Sequence, residues 1–377
     1  MQIPYLDLKR VNAPQESEIK AAIEATIHSG WYLYGEQVRT FQKAWATYND
    51  ADYCITTANG LDALTASLLS LKHLRQWADG SEVLVSSLTF IASFEAISRA
   101  GLKPVPVDVS EADYLMSFPL AQQSINTNTM AIMPVLIYGR NTDMRPWRTL
   151  ADEHNLSIVA DACQMHGRVR EKDAALTKYC DVVAYSFYPG KNLGALGDAG
   201  ALITNNKEVA EMAEMYCNYG AKEKYHHLLQ GANSRMDEIQ AAALNVKLKY
   251  LDQSNATRRN QAKVYNANIH NPLITLPYGG KEEELSFWHV YPVFTPQRDE
   301  FQVYLRNKGI QTQVHYPIPP HKQQAYKELN GYSLPVSERL CKTELSLPLN
   351  PALSKPEQDY IVEAINNFAG NAYIKTN

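Results

Sequence analysis

Lys191 is the residue whose setting most suggests chemistry. It lies in Ser186-Phe-Tyr-Pro-Gly-Lys-Asn-Leu-Gly-Ala-Leu-Gly-Asp-Ala-Gly200, a glycine-rich turn directly after a buried apolar run. Glycines let backbone come close to a ligand, and an activated lysine is a nucleophile toward carbonyl carbon. A nucleotide P-loop is excluded, because Asn192 stands where Ser or Thr is required and no glycine lies five before Gly190. A dinucleotide fingerprint fits poorly, since the glycines follow the lysine instead of lying between a strand and a helix N-terminus. Alone, the motif reads as a solvated turn, because most lysines are exposed.

Three further features change that reading. Asp161 ends the run Leu156-Ser-Ile-Val-Ala-Asp161, and a carboxylate at the end of a buried strand is costly without a positive or proton-donating partner, such as a protonated pyridine nitrogen. Asn59-Gly60-Leu61 forms a strand-to-helix turn whose amides can bind a phosphate at the helix N-terminus. Phe90, in Ser87-Leu-Thr-Phe-Ile-Ala-Ser93, stands just past another strand end, where it can lie flat on an aromatic ring. Singly these are an N-capping aspartate, an Asn-capped helix and a core phenylalanine. Together, a lysine for a Schiff base, a carboxylate for a pyridinium, an amide cradle and an aromatic stacker specify pyridoxal 5′-phosphate.

Such a constellation needs a scaffold that brings strand ends together. Short β-rich runs at Tyr53 to Thr57, Glu82 to Ser86, Lys103 to Asp108, Met130 to Tyr138, Ser157 to Ala162, Val182 to Phe187 and Ala199 to Thr204 alternate with helical segments. This predicts an α/β fold with a mostly parallel central sheet flanked by helices, whose ligands bind at the strand C-terminal ends. Ile19, Ala22, Ile23, Thr26 and Ile27 predict an amphipathic helix that stops at Gly30. A helix over Arg235 to Leu251 is expected to carry the chain out of a large domain, 1–250, into a smaller α+β domain, 251–377. The smaller domain is expected to hold a helix near Gln297 to Lys308, a strand over Thr312 to Tyr316 and a final helix opened by the capping box Ser354-Lys-Pro-Glu357.

Composition agrees with an enzyme acting on a small molecule. The 377 residues are 45% hydrophobic and 20% charged, which excludes disordered and collagen-like classes, and the net charge of −4 shows no footprint for nucleic acid or an anionic membrane. Five scattered cysteines without a C-x-x-C pair suit a reducing compartment and offer no zinc site, and the opening residues lack the apolar core of a signal peptide; a cytoplasmic protein without bound metal is expected.

From about Tyr5 to about Ile365 the sequence resembles the DegT/DnrJ/EryC1/StrS sugar aminotransferases, of the aspartate-aminotransferase fold type I. The resemblance rests on Ala58-Asn-Gly-Leu-Asp-Ala-Leu64, Thr89-Phe90, Asp161-Ala-Cys-Gln164, Ser186 to Gly194, Asn218-Tyr-Gly220, Gly231-Ala-Asn-Ser-Arg235 and Ser346-Leu-Pro348. It implies Lys191 as the Schiff-base lysine, Asp161 on the pyridine nitrogen, Gln164 near the cofactor 3-hydroxyl and Phe90 on the ring. Ser186 and the amides of Gly60 and Leu61 would hold the phosphate. It also implies a homodimer with shared sites, in which Asn233 reaches the neighbouring subunit's phosphate. One departure stands out: Asn59-Gly60-Leu61 replaces the commoner Ser-Gly-Thr, so one phosphate hydroxyl is missing.

The segment His315-Tyr-Pro-Ile-Pro-Pro-His321, followed by Gln324-Ala-Tyr326, looks most like the subgroup that aminates C3 of a dTDP-linked 3-keto-6-deoxyhexose. This makes His315, Tyr316 and His321 candidates for contact with the nucleotide-linked keto sugar, against the alternative of a rigid surface turn. Glutamate is the implied amino donor. The alternatives are amination at C4 of a UDP- or dTDP-4-keto sugar, a pyridoxal-phosphate lyase or dehydratase, which Lys191 argues against because the family's dehydratases carry histidine there, and a non-catalytic regulatory homologue. Adjacent His226-His227 cannot face one metal, and His166 reads as packing behind the cofactor site.

Overall fold

The structure, a computed structural model, describes residues 1–168, 175–280 and 286–370. Its centre is a seven-stranded sheet: β1 (Tyr53–Thr57), β2 (Glu82–Ser86), β3 (Lys103–Val107), β4 (Thr129–Met133), β5 (Ser157–Asp161), β6 (Val182–Ser186) and β7 (Gly200–Thr204), in the order β1-β7-β6-β5-β4-β2-β3. All neighbours pair in parallel except β7, which runs antiparallel to β1 and β6. The expected mostly parallel α/β sheet is therefore present. Strands β2, β5 and β7 are buried at every position, which explains why they read as apolar runs without alternation.

Successive residues of these strands serve opposite cores. Ile158 and Val183 face a cluster with Phe41, Trp45 and Phe187, whereas Val159 and Val182 face Leu64, Leu68 and Phe94. Because β1, β2, β5 and β6 share a direction, their C-terminal ends and the loops that follow gather along one edge. That edge carries Gly60, Phe90, Asp161 and Ser186.

Beyond β7 a short hairpin, β8 (Ala221–Glu223) and β9 (His226–His227), precedes the helix Glu238–Leu248. A second helix, Leu251–Asn268, follows directly; the sequence pattern merged its start with the first and missed the rest, because its many polar residues dilute the apolar stripe. An antiparallel pair, β10 (Tyr291–Phe294) and β11 (Glu344–Leu347), then packs with helices Arg298–Asn307, Pro335–Thr343 and Lys355–Asn366. Their core contains Tyr265, Tyr291, Phe301, Leu345 and Ile361, together with Ile3 and Tyr138 from the N-terminal part of the chain.

Two expected strands are corrected. The run from Met130 to Tyr138 stops as a strand at Met133, because Pro134 lacks an amide to donate and Tyr138 takes a left-handed φ of 59°. Thr312 to Tyr316 forms no strand: Gln313 makes one isolated bridge to Ser346, and the amide of His315 is spent on the Glu344 carboxylate. The helix Glu16–Ser29 ends at Gly30, with φ 65°, and the Ser354/Glu357 capping box opens the last helix, both as expected.

Candidate active site

Asp161 closes β5 with 5% exposure and is held by two donors. The Ser93 hydroxyl donates to Oδ2 at 2.7 Å and the Cys163 amide to Oδ1 at 3.1 Å, and Ser93 is itself paired with Thr89 at 2.7 Å. These charge-assisted bonds offset the burial of a carboxylate and leave lone pairs for one further donor.

Lys191 lies one turn past the end of β6, its amide donating to the Tyr188 carbonyl at 2.8 Å. Burial pushes its ammonium pKa below the ordinary lysine range, against the opposing pull of Cys163 and Asp161. The neutral amine, which is the form that attacks a carbonyl, is thereby favoured.

The amide cradle is built by a close contact. Gly60 is the first residue of the 16-residue helix Gly60–Arg75, and a Cβ there would lie 2.6 Å from the Ser186 Cβ and 3.0 Å from the Cys163 Sγ. Only glycine lets the helix N-terminus come so close to the end of β6. Asn59 caps the helix by accepting from the Asp62 amide at 2.9 Å, which leaves the first-turn amides of Gly60 and Leu61 directed at an anion. The later glycines of the Lys191 turn play a different part from the one expected. A Cβ at Gly194 would lie 2.3 Å from the Pro189 carbonyl oxygen and one at Gly200 would lie 2.3 Å from that of Asn59, so they close the chain on itself.

Gln164 joins this group to the C-terminal part of the chain. Its Oε1 accepts from the Tyr138 amide at 2.7 Å and its Nε2 donates to the Tyr316 hydroxyl at 3.0 Å, with one amide hydrogen to spare. The Tyr316 ring lies 5.4 Å from that of Phe90, which is 54% exposed and presents an open aromatic face. His315 is tied in as well, since its carbonyl accepts from the Tyr138 hydroxyl at 2.6 Å, and burial together with the Lys191 charge pulls its imidazole pKa down to about 4.

Two candidates lie apart from this group. His321 is fully buried against Glu338, 3.2 Å away, and none of the residues around Lys191 is among its partners. Asn233 is exposed and bridges Asn218, while the next residue, Ser234, anchors the loop by accepting from the Ala58 amide at 3.0 Å and donating to Asp62 at 2.8 Å. His166 packs behind the site, as expected: its Nδ1 accepts from the Leu193 amide at 3.1 Å, and burial lowers its pKa to about 3. His226 and His227 form the exposed strand β9. Among the described residues no group of His, Cys, Asp or Glu is arranged to hold a metal, and no helix is long and apolar enough to cross a membrane.

Sequence reasoning missed Ser93 and Thr89 as supports for Asp161. The available signal was a pair of hydroxyl residues four apart, just past a strand end.

Residues 14–366 match the DegT/DnrJ/EryC1/StrS aminotransferase family. The chain belongs to that family. It is 42% identical, over 97% of its length and 99% of the relative's, to dTDP-3-amino-3,6-dideoxy-alpha-D-galactopyranose transaminase of Aneurinibacillus thermoaerophilus. It is 40% identical, over 97% of its length and 99% of the relative's, to the erythromycin biosynthesis sensory transduction protein EryC1 of Saccharopolyspora erythraea. The crystal structure of S. venezuelae DesV in complex with a ketimine intermediate superposes with a TM-score of 0.90 at 38% identity, covering 97% of this chain and 98% of that one. This aminotransferase family uses pyridoxal 5′-phosphate. The glycine cradle at Gly60, the braced carboxylate of Asp161 and the desolvated amine of Lys191 fit that cofactor.

Proposed function

We propose that the chain transfers an amino group from an amino acid, glutamate by family resemblance, to C3 of a dTDP-linked 3-keto-6-deoxyhexose. The observation that carries the catalytic part is the convergence of Lys191, Asp161 and the Gly60 cradle on one edge of the sheet. The sugar and its position rest on the similarity to transaminases whose names give a 3-amino dTDP sugar.

In this reading the amides of Gly60 and Leu61, with the Ser186 hydroxyl, hold the phosphate; Asp161 takes the ring nitrogen's proton in a hydrogen bond; Gln164 gives its spare N–H to the ring hydroxyl; and Phe90 covers the ring. Bound pyridoxal phosphate supplies the electron sink that lets the donor's Cα–H bond break. Lys191 Nζ would anchor the cofactor and, once displaced by the donor amine, would take the proton from Cα and deliver it to the cofactor's carbon rather than back to Cα. His315 and Tyr316 face the sugar. His321, held by Glu338, would reach it only through a change of partner.

The reading extends to a homodimer. Trp31, Tyr32, Tyr34, Tyr219, Tyr225 and Leu228 are all exposed, and the Arg235 guanidinium lies 5.8 Å from the rings of both Tyr34 and Tyr219. Apolar surface of this extent suits burial against a second copy, and the exposed Asn233 stands on the anchored loop that leads to Arg235. We take residues 1–250 as the cofactor-binding unit and 251–377 as the smaller unit that carries His315 and Tyr316. Free cysteines, three of them buried, suit a reducing compartment such as the cytoplasm.

Incubation of cofactor-loaded protein with glutamate alone tests the reaction class. A transaminase releases one equivalent of 2-oxoglutarate per bound cofactor and then stops until a keto sugar is added. Continuous turnover of the amino acid, or none, would point to a lyase or to a non-catalytic homologue.

A further inference from the structure

Behind Tyr316 lies a buried polar chain that the amino-transfer reading does not use. Glu344, on β11, is fully buried and reaches His315 by two routes, directly and through Ser346. Its Oε2 accepts from the His315 backbone amide at 2.6 Å, and its Oε1 accepts a short hydrogen bond from the Ser346 hydroxyl. Ser346 Oγ in turn lies 2.8 Å from His315 Nδ1.

The donor count decides where the imidazole proton sits. A serine hydroxyl has one proton and two lone pairs, and an ionised carboxylate only accepts. With the Ser346 proton given to Glu344, the hydroxyl offers His315 lone pairs alone, so Nδ1 must be the donor. The imidazole is neutral through most of the accessible pH range, because burial and the nearby Lys191 charge lower its pKa to about 4. A neutral imidazole carries one N–H, which leaves Nε2 bare.

We infer that Glu344, acting through Ser346, is a positioning residue that holds His315 with its proton on Nδ1 and a lone pair on Nε2, so that the His315 ring offers an acceptor to a hydroxyl or ammonium donor.

The same chain reverses when Glu344 takes up a proton. Glu344 then donates to Ser346 Oγ, the Ser346 proton turns to Nδ1, and the single imidazole proton moves to Nε2; one proton has entered in all, at the carboxylate. Burial raises the Glu344 pKa to about 7, and the groups facing it leave it there: the Arg298 charge opposes the rise, whereas Tyr5, Tyr138, Tyr316, Cys341 and His315 are uncharged near neutrality.

Ring-nitrogen NMR of protein carrying 15N-histidine tests this without reference to activity, with the His315 signals assigned by their loss in His315→Asn. At about pH 8 the wild type should show a protonated Nδ1 and a bare Nε2, and at about pH 5.5 the reverse. Glu344→Gln, whose carboxamide donates to Ser346 at every pH, should show the reversed form throughout. A wild-type proton on Nε2 at the higher pH, or a variant indistinguishable from the wild type, would overturn the inference. Should Glu344→Gln fail to fold, the wild-type titration decides alone: a pattern unchanged between the two pH values contradicts the proposal. The result is independent of which sugar is bound, so it can fail while the aminotransferase reading stands.

Discussion

Lys191 is useful because desolvation of its half-buried ammonium is only partly offset by Asp161 and Cys163. Removing it relieves a desolvated charge, so the loss is chemical and not structural. Cofactor-free Lys191→Ala should fold with an unfolding midpoint unchanged or slightly raised, and the variant should lose at least about 10³-fold in transamination, since anchor and proton carrier go together. Borohydride reduction of the loaded wild type should attach the cofactor to Lys191; a label on any other lysine would contradict the assignment. The lysine stood out in the sequence only in company with Asp161, Gly60 and Phe90, because a lone lysine in a Gly-rich turn reads as a solvated loop. What holds Asp161 was not legible there, since the partnership of Ser93 with Asp161 spans 68 positions and depends on two strand ends lying side by side.

Among the elements, the turn from β1 into the helix Gly60–Arg75 governs phosphate binding. Gly60 sits against Ser186 with no room for a methyl group. Gly60→Ala must push the helix N-terminus off the end of β6, at a strain of about 1–3 kcal/mol. The cofactor dissociation constant should therefore rise roughly five- to 150-fold, with the larger effect on phosphate-bearing forms over pyridoxal itself. Fluorescence titration with both forms measures this, and equal losses would remove the phosphate from that turn. All seven sheet strands were located in the sequence because strands inside a covered sheet form bounded apolar runs, although the β4 run reads five residues too long. The helix Leu251–Asn268 was obscured by its polar face, and the Thr312 to Tyr316 segment mimics a strand in composition while spending the His315 amide on a side chain. Such long-range hydrogen bonds leave no local mark in a sequence.

Two predictions concern the whole molecule. His166 is buried and His289 and His315 are half-buried, and all three are neutral, with pKa values pulled to about 3, well below 6.5 and to about 4 respectively, in each case chiefly by desolvation. The unfolded chain binds protons at these sites from about pH 6.5 downward while the folded chain does not, so their stabilisation is complete above about pH 6.5 and is lost as pH falls. Glu344, raised to about 7, acts in the opposite sense between about pH 7 and pH 4.5. Three groups outweigh one, and denaturant midpoints should fall steadily from pH 6.5 to pH 4.5; a flat profile would show that these histidines are protonated in the folded state. The second prediction concerns assembly. If Asn233 completes the partner's site, inactive Lys191→Ala and Asn233→Ala should regain partial activity when mixed, because each heterodimer has one site carrying both lesions and one carrying neither. Absence of recovery after demonstrated subunit exchange would confine Asn233 to its own chain.

The most direct test of the central claim supplies loaded protein and glutamate with a panel of dTDP- and UDP-linked 3-keto and 4-keto sugars and identifies the product by NMR. A C3 aminotransferase places a new amine on C3 of the dTDP-linked 3-keto-6-deoxyhexose, formed with an equivalent of 2-oxoglutarate. An amine appearing only at C4, or on no sugar of the panel, would contradict that assignment.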